Sequence, residues 1–296
     1  MSSSNQPGCN QVFGGSAGRA LLFLQRFEAW GQASDLATAL EYIEGALASV
    51  GAVSASTCGF LWGRPGVGAV GAVVRSRAGD EAGAQSLVDA LVGYFEKAPD
   101  DSECPYDDWD SGRAGLLYVS KFLDEMLPQW PGGLPVIDRD LLAPVALAII
   151  DRGTRLSDSP GEYLEWLSPN DQGKWLGMSH GSAGVLHGLL LVPEVVLGNS
   201  TARRLILGTI DHIVAQQQPS GNFPSEVLAS SPPHSAWLCY SSVLWTLFLT
   251  HTPARTYALL FLLKSRRTLA LPSLFHILLF FLSRGAPAAS LLSPHH

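Results

Sequence analysis

Positive charge is scarce in this chain. Lys and Arg together number 19 against 26 Asp and Glu, for a formal net charge of −7. No basic stripe follows the helical pattern, which argues against a nucleic-acid partner. Cysteine is rarer still. Cys9, Cys58, Cys104 and Cys239 are too few and too scattered for a disulfide framework in 296 residues, so a reducing, cytoplasmic setting is expected. The opening stretch, MSSSNQPGCNQVFGGSAG, has no signal-peptide apolar core. Strand-like alternation of apolar and polar residues is almost missing.

One absence is local. Residues 227–296 contain no Asp or Glu and five basic residues, Arg255, Lys264, Arg266, Arg267 and Arg284. Residues 1–226 hold all 26 acids and 14 Lys or Arg, so the two parts carry −12 and +5. The expected organisation is a flexible N-terminus over 1–17, a main domain over 18–250, and an acid-free apolar and basic tail over 251–296. The apolar runs at 236–249 and 268–282 fall short of the roughly 20 residues a membrane span needs, and Pro272 interrupts the second. The tail therefore reads as an altered end that replaces the last helices of the domain. Its alternative is a peripheral membrane segment in which Lys264-Ser265-Arg266-Arg267 meets anionic lipid.

Helical periodicity is what the chain has in abundance. Residues 18–32, 35–50, 81–97, 138–153 and 201–217 read as amphipathic helices, the second with Asp35 as its cap. Between them lie segments rich in small residues, at 61–74, 110–123 and 179–192. Each opens on Gly-x-x-Gly: Gly63-Arg64-Pro65-Gly66, Gly112-Arg113-Ala114-Gly115 and Gly181-Ser182-Ala183-Gly184. This is an irregular internal repeat. Glycine at a helix start permits close backbone approach, so these helices suit an inner ring. The amphipathic helices suit an outer one, hiding one stripe each. The fold expected is all-α, an α/α toroid with its turns gathered at one end.

The third opening contains His180. On periodicity alone it is either a core histidine bonded to backbone or a proton-handling group at a helix mouth. His187, seven residues on, falls on the same helical face and reads as packing. The segments CGFLWGRPGVGAVGAV (58–73), YDDWDSGRAGLLY (106–118), YLEWLSPNDQGKWLGMSHGSAGVL (163–186) and SGNFPSE (220–226) carry a further signal in their order. With them the chain resembles the lanthionine synthetase C-like family, most closely its plant members.

The resemblance implies a seven-hairpin double ring of helices, of which this chain would be an incomplete version. Bacterial members add a cysteine thiol to a dehydrated Ser or Thr. Eukaryotic relatives are linked to glutathione, and plant relatives have been proposed as membrane-associated signalling proteins. By motif match, His180 takes the general acid/base role, a task suited to imidazole. Asp108, four residues before Gly112, takes the acidic one, although Asp107 and Asp110 crowd beside it. Arg113 either holds an anionic substrate or pairs with these acids.

The family's zinc would lower the proton affinity of the thiol. Cys239, near Trp237, stands where one zinc ligand is expected, but no Cys-His pair follows it. A catalytic zinc needs three protein ligands, so the expectation is that this chain does not bind the metal. The function implied is thiol addition to dehydroamino acids, with glutathione or a thiol-bearing peptide as partner, impaired by loss of zinc ligands. The alternative is a non-catalytic glutathione- or protein-binding signalling scaffold, peripheral to the plasma membrane. Helical toroids also house sugar-cleaving enzymes built on two carboxylates, but the His-Gly motif argues against that chemistry here.

Overall fold

The structure is a computed structural model that describes residues 10–52, 56–130, 135–169, 173–219 and 221–227. Cys239 and the tail, with the expectations attached to them, lie outside the described residues. Among the described residues there is no strand, only a single antiparallel bridge between Trp175 and Glu226. The described residues form nine α-helices in order: α1 (Ser16–Trp30), α2 (Ala33–Ala48), α3 (Arg64–Arg77), α4 (Glu81–Lys97), α5 (Arg113–Met126), α6 (Leu142–Leu156), α7 (Ser182–Leu190), α8 (Pro193–Gly198) and α9 (Ser200–Ala215).

Burial sorts them into two classes. Along α4 the buried residues are Ala84, Val88, Leu91 and Phe95, a single stripe at helical spacing with the opposite face in water. The same holds for α2, α6 and α9. In contrast, α3 and α7 are buried nearly all round; Val67, Ala69, Val70, Ala72, Val73 and Val74 run consecutively through α3 apart from two glycines. A helix apolar on every side must be enclosed by others. Consecutive helices pair as α1 with α2, α3 with α4 and α5 with α6, while α1, α3, α5 and α7 contact one another in sequence. The described residues thus form an all-α, α/α toroid fold, and α3, α5 and α7 belong to its inner layer.

The sequence pattern placed α1 among the polar-faced helices. The structure gives it the same opening as the inner ones. Gly15, Gly63, Gly112 and Gly181 are the N-caps of α1, α3, α5 and α7 in extended conformations. Gly18, Gly66, Gly115 and Gly184 occupy the third helical position of each. A Cβ at any of the four would collide with the carbonyl oxygen six residues earlier, on Val12, Phe60, Trp109 and Met178 respectively. The preceding turn therefore folds back over the first turn of the helix, and only glycine leaves room for it.

Two expectations need correction. Asp35 does not cap α2. The helix starts at Ala33, so Asp35 sits inside the first turn, buried and paired with Arg26 at 3.2 Å. Nor are the cysteines all separate thiols. Cys58 and Cys104 form a disulfide, with Cα atoms 6.2 Å apart, because the turn before α3 and the segment leading to α5 converge. No helix among the described residues is long and apolar enough to cross a membrane.

Candidate functional site

The turns before the four glycine-opened helices are stitched to one another. Phe13 N–H donates to Leu61 O at 3.1 Å, Trp62 N–H to Asp110 O at 3.1 Å, and Asp110 N–H to Ser179 O at 3.3 Å. Both Cys58 N–H and Gly59 N–H donate to Ser111 O at 2.8 Å. These bonds gather all four turns at one end of the inner helices, the place where a site was expected.

His180 comes from the fourth turn and Asp108 from the third. Asp108 Oδ2 lies 2.9 Å from His180 Nδ1 and also accepts the Ser111 backbone N–H at 3.0 Å. Asp108 is buried and its side chain is 2% exposed, whereas that of His180 is 24% exposed. One ring nitrogen is thus anchored inside while part of the imidazole still faces outward. With Asp108 as a carboxylate, Nδ1 carries the hydrogen and Nε2 is the exchanging position. Asp108 Oδ1 is buried without a hydrogen-bond partner among the described residues. Its charge is therefore countered on the Oδ2 side.

The crowded acids do separate work. Asp107 turns inward to Arg113 at 2.9 Å and Arg152 at 3.3 Å. Burial pushes its carboxyl up to about 6, against the pull of the two guanidinium groups. Arg113 has no exposed surface: it donates to Ala98 O at 2.6 Å, to Asp107 at 2.9 Å and to Asp101 at 2.6 Å. A guanidinium enclosed in this way has no solvent-facing edge for an anionic substrate. The substrate-holding role expected of Arg113 gives way to the ion pair. Asp101 is partly buried, which works to raise its carboxyl, but bonds from Arg155 and Arg113 hold it down at about 2.

Asp110 was not singled out from the sequence. Its Oδ2 accepts the Ser179 hydroxyl and faces His180 Nε2 at 3.7 Å, and the Trp62 side chain bonds to it as well. Burial pushes its carboxyl upward, while the bonds from Ser179 and Trp62 and the charge on His180 pull it back. Spacing gave no sign of this, since Asp107, Asp108 and Asp110 share one turn whose backbone decides where each points.

Beneath the site, Phe60, Trp109, Tyr118 and Phe122 form an aromatic cluster. His187 joins it, buried and parallel to Trp109 with ring centroids 6.4 Å apart. Burial lowers the His187 pKa to about 4, so the ring is neutral, as its assignment to packing requires. Cys58 and Cys104 are bonded to each other and offer no thiolate. Among the described residues no three of His, Cys, Asp and Glu are grouped to hold a metal ion. Cys239, the ligand expected for the family's zinc, lies outside the described residues.

The chain is similar to known proteins. LanC-like protein GCL1 of Arabidopsis thaliana is 30% identical over 224 residues, covering 72% of this chain and 48% of that protein. Glutathione S-transferase LANCL1 of Danio rerio is 26% identical over 216 residues, covering 71% of this chain and 50% of that protein. The chain thus spans about half the length of the curated relatives it matches. The family model described as Lanthionine synthetase C-like protein matches residues 7–248, the stretch that holds all four glycine-opened helices and both members of the His–Asp pair, and the chain belongs to that family.

Proposed function

We propose that this chain handles the proton in adding a thiol of the glutathione class to the double bond of a dehydroamino acid in a peptide. What supports the reading is one observation: the 2.9 Å contact between His180 Nδ1 and Asp108 Oδ2, at the end of the helices where all the openings meet. The glutathione S-transferase name of the Danio rerio relative suggests the thiol.

In this reading His180 Nε2 takes the proton from the thiol, since the thiolate is the nucleophile. Sulfur bonds to Cβ of the dehydroamino acid, and the double-bond electron pair moves to Cα. His180 then returns its proton to Cα, so nothing leaves and the addition balances. Asp108 fixes the tautomer and steadies the imidazolium that forms between the two transfers. The expected zinc ligand, Cys239, lies outside the described residues, and no step is routed through a metal.

The test uses the full chain with glutathione and a dehydroalanine peptide, read by mass spectrometry. The wild type is expected to form the adduct, with His180→Ala and Asp108→Asn each slower by about 100-fold or more. No adduct above the protein-free background, or full activity in His180→Ala, would overturn the reading. Glutathione binding by calorimetry without any adduct would put the scaffold in place of the enzyme.

A further inference from the structure

We propose that Asp110 is a positioning residue, the second of two carboxylates that grip the His180 imidazole from its opposite nitrogens. The proposal rests on the acid/base reading of His180 but concerns a residue that reading does not use. Asp108 faces Nδ1 at 2.9 Å and Asp110 faces Nε2 at 3.7 Å. Both come from the turn before α5, on either side of Trp109. The ring thus enters a fork made by one turn.

Asp110 is held in place from two other turns. Its backbone N–H donates to Ser179 O at 3.3 Å and its carbonyl accepts the Trp62 N–H at 3.1 Å. Its side chain accepts the Ser179 hydroxyl and bonds to the Trp62 side chain. These are neutral donors, and they settle the carboxylate's orientation without neutralising it. The side chain is only 9% exposed, and a buried charge requires a partner. Among the described residues the ion pairs of Asp108 and Asp110 are both with His180. Two carboxylates flanking one imidazole repel each other unless the ring is charged, so the fork favours the imidazolium.

The 3.7 Å separation also matters. It is too long for a direct hydrogen bond, so Nε2 is steered by charge yet not capped. A proton there is held toward Asp110 and remains available to a reacting carbon. In the proposed addition, Asp110 favours the state that gives the proton to Cα, while Asp108 favours the correct tautomer. A carboxylate serving only to tie the turns together would not act on the ring in this way.

The decisive measurement is the imidazole titration of His180 in the whole chain by heteronuclear NMR, its signals assigned by their loss in His180→Gln. Asp110→Asn is expected to move the midpoint to lower pH by about one unit, with the Nδ1–H resonance retained through Asp108. An unmoved midpoint in folded Asp110→Asn would reduce Asp110 to a structural tie and overturn the proposal.

Ser179→Ala provides the second arm, because Ser179 is exposed and its hydroxyl bonds to Asp110. Removing that donor leaves more of the Asp110 charge for the ring, so the midpoint is expected to rise. If Asp110→Asn does not fold, no rise in Ser179→Ala overturns the proposal by itself. Absence of the glutathione adduct in the wild type would defeat the proposed reaction but leave the titration result standing, so the two failures are distinguishable.

Discussion

A single methyl group separates two kinds of glycine in this chain. Gly45 in α2 and Gly93 in α4 have nothing within 4 Å of where a Cβ would stand. Gly115 would push a Cβ into Trp109 O and to 2.8 Å from Phe60 N. Gly45→Ala and Gly93→Ala are each expected to raise stability by about 0.5–1 kcal/mol, through helix propensity and a less free unfolded chain. Gly115→Ala is expected to cost about 3 kcal/mol or more, because backbone rather than a movable side chain is in the way. Urea denaturation of the three variants checks this, and equal behaviour would remove the close-approach explanation of the openings. At this scale the sequence showed part of the site. His180 and Asp108 were visible as a motif, and so was Gly115 as half of a Gly-x-x-Gly. The ion pair of Arg113 was one of two roles the sequence left open, and Asp110 was not visible in its observed role. Where each of the three neighbouring acids points depends on turn dihedrals, and composition does not encode those one residue at a time.

Elements were easier to read because periodicity averages over many residues. The run at 81–97 matches α4 (Glu81–Lys97) at both ends, and the three glycine openings begin α3, α5 and α7 as expected. The failures share a physical cause. Gly15-Ser16-Ala17-Gly18 is a fourth opening, but α1 shows only a narrow buried stripe of Ala17, Ala20 and Leu24, so its apolar pattern resembles that of an outer helix. The Cys58–Cys104 bond was illegible because the two residues are 46 apart and their meeting depends on how adjacent hairpins stack. That bond ties the turn before α3 to the segment that presents Asp107, Asp108 and Asp110. Closing a loop of this length is worth up to about 4 kcal/mol by chain entropy. Dithiothreitol is therefore expected to lower the unfolding midpoint of the wild type and leave a Cys58→Ala/Cys104→Ala double variant unmoved. Equal sensitivity of the two proteins would contradict the pairing.

Across the whole molecule, the inner layer trades polar safety for closeness, and His187 shows the consequence in acid. Its ring lies under the site against Trp109 and Tyr118, and burial lowers its pKa from 6.5 to about 4. The unfolded chain takes up this proton near pH 6.5, while the folded protein refuses it until about pH 4. Between those values unfolding binds a proton, so stability falls as pH falls and levels off below about 4. A shift of this size corresponds to about 3 kcal/mol. Asp107 acts in the opposite direction over part of the window: its folded carboxyl, raised to about 6, takes a proton before the unfolded one does, which stabilises the fold as pH drops from 6 toward the ordinary carboxylate range. The wild-type curve alone therefore mixes two signs. A His187→Phe variant keeps a flat ring in the aromatic cluster and removes the His187 titration alone. Measured by urea at several pH values from 7 to 4, the wild type is expected to lose up to about 3 kcal/mol relative to this variant. Parallel curves would mean that His187 is protonated alike in both states, and the picture of a buried aromatic floor beneath the His180 site would fail with it.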